Sequence, residues 1–382
     1  MRIERINIMS EKIKGASIFE LATPAILLDL DKLQRNIGEV ATLTRSRHKE
    51  LWPMVKTHKS LEIARLQANA GATGFLCGTI AEAEMLVNQG GYPQMMLAYP
   101  VVDPANLARC LQLLRKARII FRVDSEENAV FLNEALGKTG QKADYLIKID
   151  TGLRRFGVEP ESAGKLAQNL KRYQNINLVG IATHPGHIYS SADSGKRKKN
   201  ALQALEFLHR AVESLRSFGF AVKMIATGST PSWEYDIADD LVTHLHPGNY
   251  VFYDALQAAL GTVPIERCAL TVLVTVNARC PERDSACIDA GAKIFSRDTG
   301  AHEIKFLKGY GIVKDHPQVI LQSLSEEVGV LDIQYEPGLK VGTKLEIVPN
   351  HSCMIGNNTS HLIGIRSGRV ERSIPVNARV GI

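Results

Sequence analysis

The feature of this 382-residue chain that most constrains its fold is an alternation of apolar runs with helical patterns. About nine runs of strand length lie between Thr23 and Asp254, and helical spacing of apolar residues follows most of them. Near-continuous apolar strands joined by helices are typical of parallel strands covered on both faces. Their number, and the ~250-residue extent of such folds, predict a (β/α)8 TIM barrel over residues 25–255. A doubly wound open sheet is the alternative, and the lack of a Gly-x-Gly-x-x-Gly fingerprint after an early strand weakens it.

Past Asp254 the pattern changes. Further strand-like runs are separated by turn residues rather than by long helices, and they lie within residues 269–276, 286–291, 309–313 and 344–348. This pattern predicts a β-rich second domain over residues 256–382.

Composition and charge exclude several classes of protein. Hydrophobic residues make up 45% of the chain and charged residues 23%, which is ordinary for a globular protein. The net charge of +6 is spread along the chain. The one dense basic cluster, residues 196–199, has no interleaved aromatic residue and therefore predicts the solvated start of a helix. We expect no nucleic-acid partner.

Neither a membrane span nor a secretion signal is predicted. No apolar run approaches the ~18 residues that a span needs, and residues 1–15 mix Arg, Glu and Lys with apolar residues. The six cysteines show no disulfide or zinc-finger spacing, so reduced thiols are expected. The sequence thus predicts a cytoplasmic protein without a membrane partner.

Lys56 is the first residue that indicates chemistry. The apolar run Leu51–Val55 ends in this lysine, and a helical pattern begins soon after it, at Leu61. A lysine at the carboxyl end of a buried barrel strand can lose its proton more easily than a surface lysine, and a neutral amine can form a Schiff base. On these letters alone, a strand followed by a solvated turn is the alternative.

Two later turns indicate an anion site. Gly228-Ser229-Thr230 and Gly248-Asn249-Tyr250 follow the final two strands of the series. Backbone N–H groups and hydroxyls at that position commonly bind phosphate in barrels, although each turn alone is as typical of an ordinary strand-to-helix connection. Together with Lys56, the turns suggest pyridoxal phosphate (PLP), anchored at one end and covalently held at the other.

A second constellation lies in the β-rich domain. If the strand from Lys344 continues, His351 and Cys353 lie two residues apart on one face. Imidazole and thiolate bind zinc and other divalent metals, and two protein ligands leave positions for water or substrate, which suits a catalytic metal. A buried cysteine beside a hydrogen-bonded histidine is the alternative.

His184, His187 and Tyr189 lie within one six-residue turn after the run 179–183. Two histidines and a tyrosine so close together favour a site, in which the histidines act as bases or as hydrogen-bond donors. Tyr189 and Arg155 are candidates to contact the cofactor ring or a substrate carboxylate.

Together these motifs resemble one known family. From Thr23 to its carboxyl terminus, the chain is similar to the metal-activated, PLP-dependent D-threonine aldolases and D-serine dehydratases, whose fold is like that of alanine racemase. The motifs that carry the resemblance are Val55-Lys56-Thr57-His58-Lys59, Gly228-Ser229-Thr230-Pro231, Pro247-Gly248-Asn249-Tyr250, Asp289-Ala290-Gly291 and Pro349-Asn350-His351-Ser352-Cys353.

The resemblance implies roles for these residues. Lys56 would form the Schiff base with PLP, the turns at 228–230 and 248–250 would bind its phosphate, and His351 and Cys353 would bind Mn, Zn, Mg or Co beside the substrate hydroxyl. The resemblance also implies that residues 1–24 and the first strand, Ala25 to Leu30, join the β-rich domain, and that the chain forms a homodimer.

The expected reaction is the retro-aldol cleavage of a D-β-hydroxy amino acid, as in D-threonine aldolase, with His184 or His187 taking the hydroxyl proton. Dehydration of D-serine or D-threo-3-hydroxyaspartate is the alternative, in which Lys56 removes the α-proton. A racemase would need no metal pair. A PLP-carrying homeostasis protein, the non-enzyme alternative, is typically a barrel alone.

One departure from the family is visible before Lys56. Members commonly have Arg-Pro-His there, whereas this chain has Trp52-Pro53-Met54. A basic pair near the cofactor is therefore missing, which bears on the ring environment and on the substrate preference.

Overall fold

The computed structural model describes residues 13–300 and 306–379, so the chain start considered above lies largely outside the described residues. The chain forms two compact units. One comprises Gly38–Lys56 and Ile63–Gly248, and the other comprises Met1–Ile37, Thr57–Glu62 and Asn249–Ile382. None of the helices in the described part of the chain is long and apolar enough to cross a membrane. All six cysteines are free thiols, as predicted.

Strand and helix signals of the first two-thirds of the chain form the elements that their spacing predicts. The strands are β1 (Ala25–Asp29), β2 (Glu50–Leu51), β3 (Phe75–Cys77), β4 (Gln94–Leu97), β5 (Arg118–Val123), β6 (Ala143–Lys148), β7 (Ile176–Ala182), β8 (Met224–Thr227) and β9 (His244–Leu245). The helices are α1 (Leu30–Ser46), α2 (Leu61–Ala70), α3 (Ile80–Glu84), α4 (Pro104–Leu113), α5 (Glu126–Thr139), α6 (Ala163–Leu170), α7 (Ser194–Ser217) and α8 (Trp233–Ala238).

Strands β2 to β9 form one eight-stranded parallel sheet in the order β2-β9-β8-β7-β6-β5-β4-β3. Its two end strands meet, because Met54 forms a parallel bridge with Leu76 and the Leu76 N–H donates to the Pro53 carbonyl at 3.0 Å. The sheet is therefore a barrel rather than the alternative open sheet. The basic cluster 196–199 lies in the first turn of α7, where Asp193 caps the helix by accepting from the Lys196 N–H at 2.6 Å.

Side chains alternate between the two faces of each barrel strand, and those on the inner face fill the barrel interior. The buried cluster there consists mainly of Trp52, Met54, Leu76, Met96, Ile120, Leu146, Met224 and small residues between them. Because side chains two apart share a face of a strand, Arg122 and Lys148 also point inward, two residues after Ile120 and Leu146. Both are buried, with 3% and 7% of their surface exposed.

The β-rich unit is built on a nine-stranded sheet with the order β11-β14-β13-β12-β15-β10-β1-β16-β17. Its remaining strands are β10 (Leu270–Cys280), β11 (Ser285–Ile288), β12 (Gly311–Val313), β13 (Ile320–Leu324), β14 (Gly329–Asp332), β15 (Lys344–Pro349), β16 (His361–Arg366) and β17 (Arg369–Pro375). Its short helices are α9 (Ala255–Ala259), α10 (Ala292–Phe295) and α11 (Ser352–Asn358). Strand β1 pairs antiparallel with β10 and parallel with β16, as the resemblance implies.

Two local predictions were wrong. Lys56 does not end a strand: β2 stops at Leu51, before Pro53, which has no N–H for a strand ladder, and Val55–Thr57 form a 3₁₀ turn. His351 and Cys353 do not continue β15, which ends at Pro349. The Ser352 N–H donates to the Asp254 carboxylate at 3.0 Å instead of to a neighbouring strand, and helix α11 begins there.

Candidate active site

Lys56 lies in the 3₁₀ turn after β2 and is partly buried. The Lys56 Cβ lies close to Gly78. A Cβ added to Gly78 would be 3.3 Å from the Lys56 Cβ. The Gly78 N–H donates to the Glu82 carboxylate at 2.6 Å, which fixes the backbone at this point. The glycine thus leaves room for the lysine that the sequence assigns to PLP.

His184 follows β7, and its ring hydrogen-bonds to the Gly228 turn. Its Nδ1 lies 3.0 Å from the Gly228 carbonyl oxygen, which can only accept, so Nδ1 carries the proton. Burial, followed by the positive charges of Lys56 and Lys148, lowers the pKa of His184 well below its ordinary value. The imidazole is therefore neutral, and its unprotonated Nε2 is the atom able to take a proton.

The Gly228 turn is shaped for an anion. Gly228 has φ +151°, and an added Cβ would lie 2.8 Å from the His246 backbone nitrogen, so no side chain fits there. The Ser229 hydroxyl is 2.9 Å from that of Ser232, whereas the buried Thr230 hydroxyl has no hydrogen-bond partner among the described residues. Such an orphaned hydroxyl fits a phosphate oxygen, so the turn fits the phosphorylated cofactor.

Three buried basic side chains of the barrel interior escaped the sequence analysis: Arg122, Lys148 and His246. The Lys148 ammonium lies 3.4 Å from the Ala98 carbonyl oxygen, and the Arg122 Nη2 contacts the Met96 sulfur at 3.8 Å. Arg122 Nε and Nη1 and His246 Nε2 have no partner in the described part of the chain. A charged residue inside an apolar strand run was the available signal for Arg122 and Lys148.

Burial changes the charge of these groups. It lowers the pKa of Lys148 to about 7, with the nearby Arg122 and Arg155 charges adding to the effect. It lowers the pKa of Arg122 to about 9 and, aided by Arg122 and Lys148, that of His246 to about 3. At neutral pH the interior therefore holds a charged guanidinium, a partly neutral amine and a neutral imidazole.

The remaining barrel candidates lie on loops. The His187 ring packs on Gly152, where an added Cβ would lie 3.2 Å from it, and burial lowers the pKa of His187. Tyr189 is buried, with 7% of its surface exposed. Arg155 is exposed and stacks on the Tyr99 ring at 5.7 Å.

The metal candidates come together in the β-rich unit at the start of α11. His351 hydrogen-bonds to Cys353, whose sulfur lies 3.1 Å from the Thr57 hydroxyl and 3.7 Å from the Asn249 amide nitrogen. We call His351, Cys353 and their partners Thr57, Asn249, Asp254, Asp298 and Ser352 the histidine–cysteine corner. The structure thus brings the predicted pair together, although by a helix start rather than by a strand.

Two carboxylates complete this corner, and the sequence analysis missed both. His351 Nδ1 lies 2.7 Å from Asp298 Oδ2. The buried Asp254 accepts from the Asn249 amide at 2.6 Å and from the Ser352 N–H at 3.0 Å. Burial alone lowers the pKa of His351, but Cys353 and Asp298 outweigh it and raise the pKa to about 10.

The donor set fits a divalent metal. Imidazole and thiol are ligands that zinc and related cations prefer. Within residues 13–300 and 306–379, no group of three or more His, Cys, Asp or Glu side chains is arranged to hold a metal. The corner therefore offers two protein ligands, and water or substrate would complete the coordination.

The Asn249 side chain belongs to this corner, since its amide binds Asp254 and Ser352 at 2.6 and 3.0 Å. Its backbone, with that of Gly248 and the fully buried Tyr250, stays a predicted phosphate contact.

Comparison with known proteins matches both parts of the chain. Residues 28–255 match the family model of the alanine racemase N-terminal domain, and residues 269–365 match that of a putative serine dehydratase domain. A D-threo-3-hydroxyaspartate dehydratase from Delftia sp. is 32% identical over 89% of this chain and 93% of its own length. The chain belongs to the D-threonine aldolase and D-serine dehydratase family.

Other members agree with this assignment. A D-threonine aldolase from Arthrobacter sp. is 30% identical over 96% of this chain and 94% of its own. The crystal structure of the D-threonine aldolase from Filomicrobium marinum superposes with a TM-score of 0.88 at 29% identity, covering 96% of this chain and 98% of that one. The family is one of PLP-dependent lyases, so the family, the alanine racemase-like fold and the enzyme class predicted from the sequence are confirmed.

Proposed function

We propose that this protein is a PLP- and divalent-metal-dependent lyase that cleaves D-β-hydroxy amino acids, as a D-threonine aldolase does, to glycine and an aldehyde. One observation carries the proposal. Thr57, which follows Lys56 directly in the chain, places its hydroxyl 3.1 Å from the sulfur of Cys353, and Cys353 is bonded to His351. The lysine assigned to PLP is thus directly bonded along the chain to Thr57, which contacts one of the two metal candidates, Cys353.

In this proposal Lys56 would hold PLP through its amine, and the Gly228 turn, with its Thr230 hydroxyl, would bind the phosphate. The backbone of residues 248–250 adds N–H donors to the phosphate, and Arg155 and Tyr189 contact the ring or the substrate carboxylate. When bound, PLP withdraws electrons from the bond that is broken, and a divalent cation on His351 and Cys353 makes the substrate hydroxyl more acidic.

The chain's own residues move the protons. His184 is neutral and keeps its proton on Nδ1, so its Nε2 accepts the proton of the substrate hydroxyl. His187 is the second candidate, because burial also keeps its imidazole neutral. A partly neutral Lys148 provides a further buried amine near His184.

A dehydratase acting on D-serine or D-threo-3-hydroxyaspartate is the second candidate. The relative at 32% identity is named as such a dehydratase, and in that reaction the Lys56 amine takes the α-proton after it leaves the cofactor. A PLP-carrying protein without turnover would not need His351 and Cys353.

The experiment incubates purified protein with D-threonine and with D-serine, in the presence of PLP and manganese or zinc, before and after EDTA. Glycine and acetaldehyde that disappear with EDTA and return with metal support the aldolase. Pyruvate and ammonia from D-serine indicate the dehydratase. Bound PLP without any turnover of either substrate would contradict both. Cys353→Ser should lose the metal-dependent turnover. Cys280→Ser, which removes a partly exposed thiol of the same unit, is its control and should keep it.

We also propose that the protein is a cytoplasmic homodimer whose small-molecule partner is the D-amino acid. The domain limits 1–24, 25–255 and 256–382 stay a prediction from the sequence. Size-exclusion chromatography with light scattering tests the dimer, and limited proteolysis tests the limits.

A further inference from the structure

The Asp298 carboxylate is fixed by its own loop before it reaches His351. The loop follows α10, and the Asp298 N–H donates to the Ser296 hydroxyl at 3.1 Å. The Gly300 N–H donates to Asp298 Oδ1 at 2.8 Å. One carboxylate oxygen is therefore used inside the loop, and the other, Oδ2, is directed at His351 Nδ1, 2.7 Å away.

We propose that Asp298 is a positioning residue for the metal ligand His351. A carboxylate can only accept a hydrogen bond from the ring, so the contact keeps the proton on Nδ1 and leaves Nε2 to bind the cation. It also fixes the rotation of the ring, because the accepting oxygen is itself held by the loop. Partners of this kind orient metal-binding histidines and make them more basic ligands. The inference rests on the proposed metal site.

A comparison with the other histidine–carboxylate pairs of the described residues separates this contact from an ordinary ion pair. His209 pairs with Asp239 at 2.7 Å and His316 with Glu336 at 2.9 Å, and 44% and 31% of these histidine side chains are exposed. The His351 side chain is 17% exposed and is also bonded to a thiol. The His351–Asp298 pair therefore has a more buried histidine than the other two pairs, and this histidine also contacts a cysteine, the second predicted metal ligand.

The remaining polar groups of the histidine–cysteine corner are directed to other partners. Cys353 contacts Thr57, and the Ser352 N–H and the Asn249 amide both donate to Asp254. Asp298 is therefore the carboxylate that orients the His351 ring, whereas Asp254 fixes the backbone of the helix start.

The test measures metal affinity in the PLP-loaded protein, by competition of zinc with a chromophoric chelator, for the wild type and Asp298→Asn. Asparagine can still accept from the Gly300 N–H through its oxygen, but its amide nitrogen cannot accept from His351. We expect zinc affinity to fall about 10- to 100-fold, with unchanged PLP absorbance and unchanged melting temperature of the metal-free protein. Glu336→Gln, which changes the acceptor of the partly exposed His316 in the same unit, is the matched control and should leave zinc affinity unchanged.

A second variant keeps the result decisive. Asp298→Glu restores a carboxylate and should recover part of the zinc affinity, because the acceptor rather than the loop is what His351 needs. Zinc affinity of Asp298→Asn within about twofold of wild type would overturn the inference and leave the proposed function standing, since a partner of this kind is worth at least tenfold. Equal losses in the Asn and Glu variants would also overturn it. If the wild type itself binds no metal, the metal dependence of the proposed function fails, and the inference fails with it.

Discussion

The barrel interior and the histidine–cysteine corner bury polar groups in opposite ways. In the corner, most side chains are bonded to one another: Asp298 to His351, His351 to Cys353, Cys353 to Thr57 and Ser352 to Asp254. The Asn249 Oδ1 is the exception, since no described residue pairs it. In the barrel, Arg122 and His246 keep donor or acceptor atoms that no described residue pairs. Buried charge without a partner is costly. The corner is therefore held mainly by bonds among its own residues, whereas the barrel interior retains more unpaired polar atoms, of the kind that binding sites use.

The strongest test of the barrel side of this comparison is Lys56→Ala. We expect it to abolish the near-visible absorbance of protein-bound PLP and to remove turnover altogether, because no other amine holds the aldehyde carbon. Absorbance spectra after dialysis against PLP-free buffer measure the effect. Lys223→Ala, which changes an exposed lysine of the same unit, should keep both properties. Covalently bound PLP in Lys56→Ala would exclude Lys56 and direct attention to Lys148.

Lys148→Met tests the free-energy cost of a buried cation whose described hydrogen bond goes to the Ala98 carbonyl oxygen rather than to a carboxylate. The pKa of Lys148 is lowered from 10.5 to about 7, so the unfolded chain holds this proton more tightly than the folded one. The wild type therefore loses stability as pH falls from 10.5 towards 7, and each pKa unit corresponds to about 1.4 kcal/mol. Lys148→Met should raise the free energy of unfolding by a few kcal/mol at pH 7 and below, with a gain that vanishes near pH 10.5. Urea unfolding at several pH values measures it, and a gain independent of pH would contradict the assignment.

Arg122→Met should also stabilise the barrel. Replacing a buried charge by an apolar side chain of similar length is neutral or stabilising by up to about 4 kcal/mol when the charge is not well paired. The variant keeps the packing on Met96 and removes the orphaned guanidinium nitrogens. Arg115→Met, at an exposed helix end, should change stability by less than about 0.5 kcal/mol. A clear loss of stability in Arg122→Met would show that the guanidinium has a partner after all.

Gly356→Ala tests the interlocked corner from its backbone side. An added Cβ would lie 2.4 Å from the Thr57 carbonyl oxygen, so α11 must shift and carry Cys353 away from the Thr57 hydroxyl. We expect a loss of about 1–3 kcal/mol in the free energy of unfolding, together with weaker zinc binding. Gly338→Ala, where an added Cβ meets nothing within 4 Å, is the matched control. Equal stability of the two variants would mean that α11 accommodates the added methyl group without a cost in free energy of unfolding.

The barrel could be predicted from the sequence because buried parallel strands and their helices produce apolar patterns among residues that are close in the chain. Apolar runs and helical spacing depend on neighbours along the chain, and both were readable from Thr23 to Asp254. The motifs around Lys56, Gly228 and Cys353 were equally local. The positions of Arg122 and Lys148 could have been found in the same way, as charges inside apolar strands.

The hydrogen-bond partners of the motif residues could not be predicted from local patterns in the sequence. Asp298 and Asp254 are 53 and 98 residues from His351 and Ser352, and no spacing rule joins them. The wrong prediction of a continued β15 has the same origin, because the Asp254 carboxylate takes the N–H that a strand ladder would have used.

The sequence by itself determined the alternation of strands and helices, the family and the identities of the lysine, imidazole and thiol. Only the tertiary structure decided which atom of His184 carries a proton, which amine has a pKa near 7, and which carboxylate orients a metal candidate. The reason is that these properties depend on burial and on acceptors contributed by distant segments. Propensity and pattern describe a residue's neighbours in the chain, whereas charge and tautomer are set by its neighbours in space.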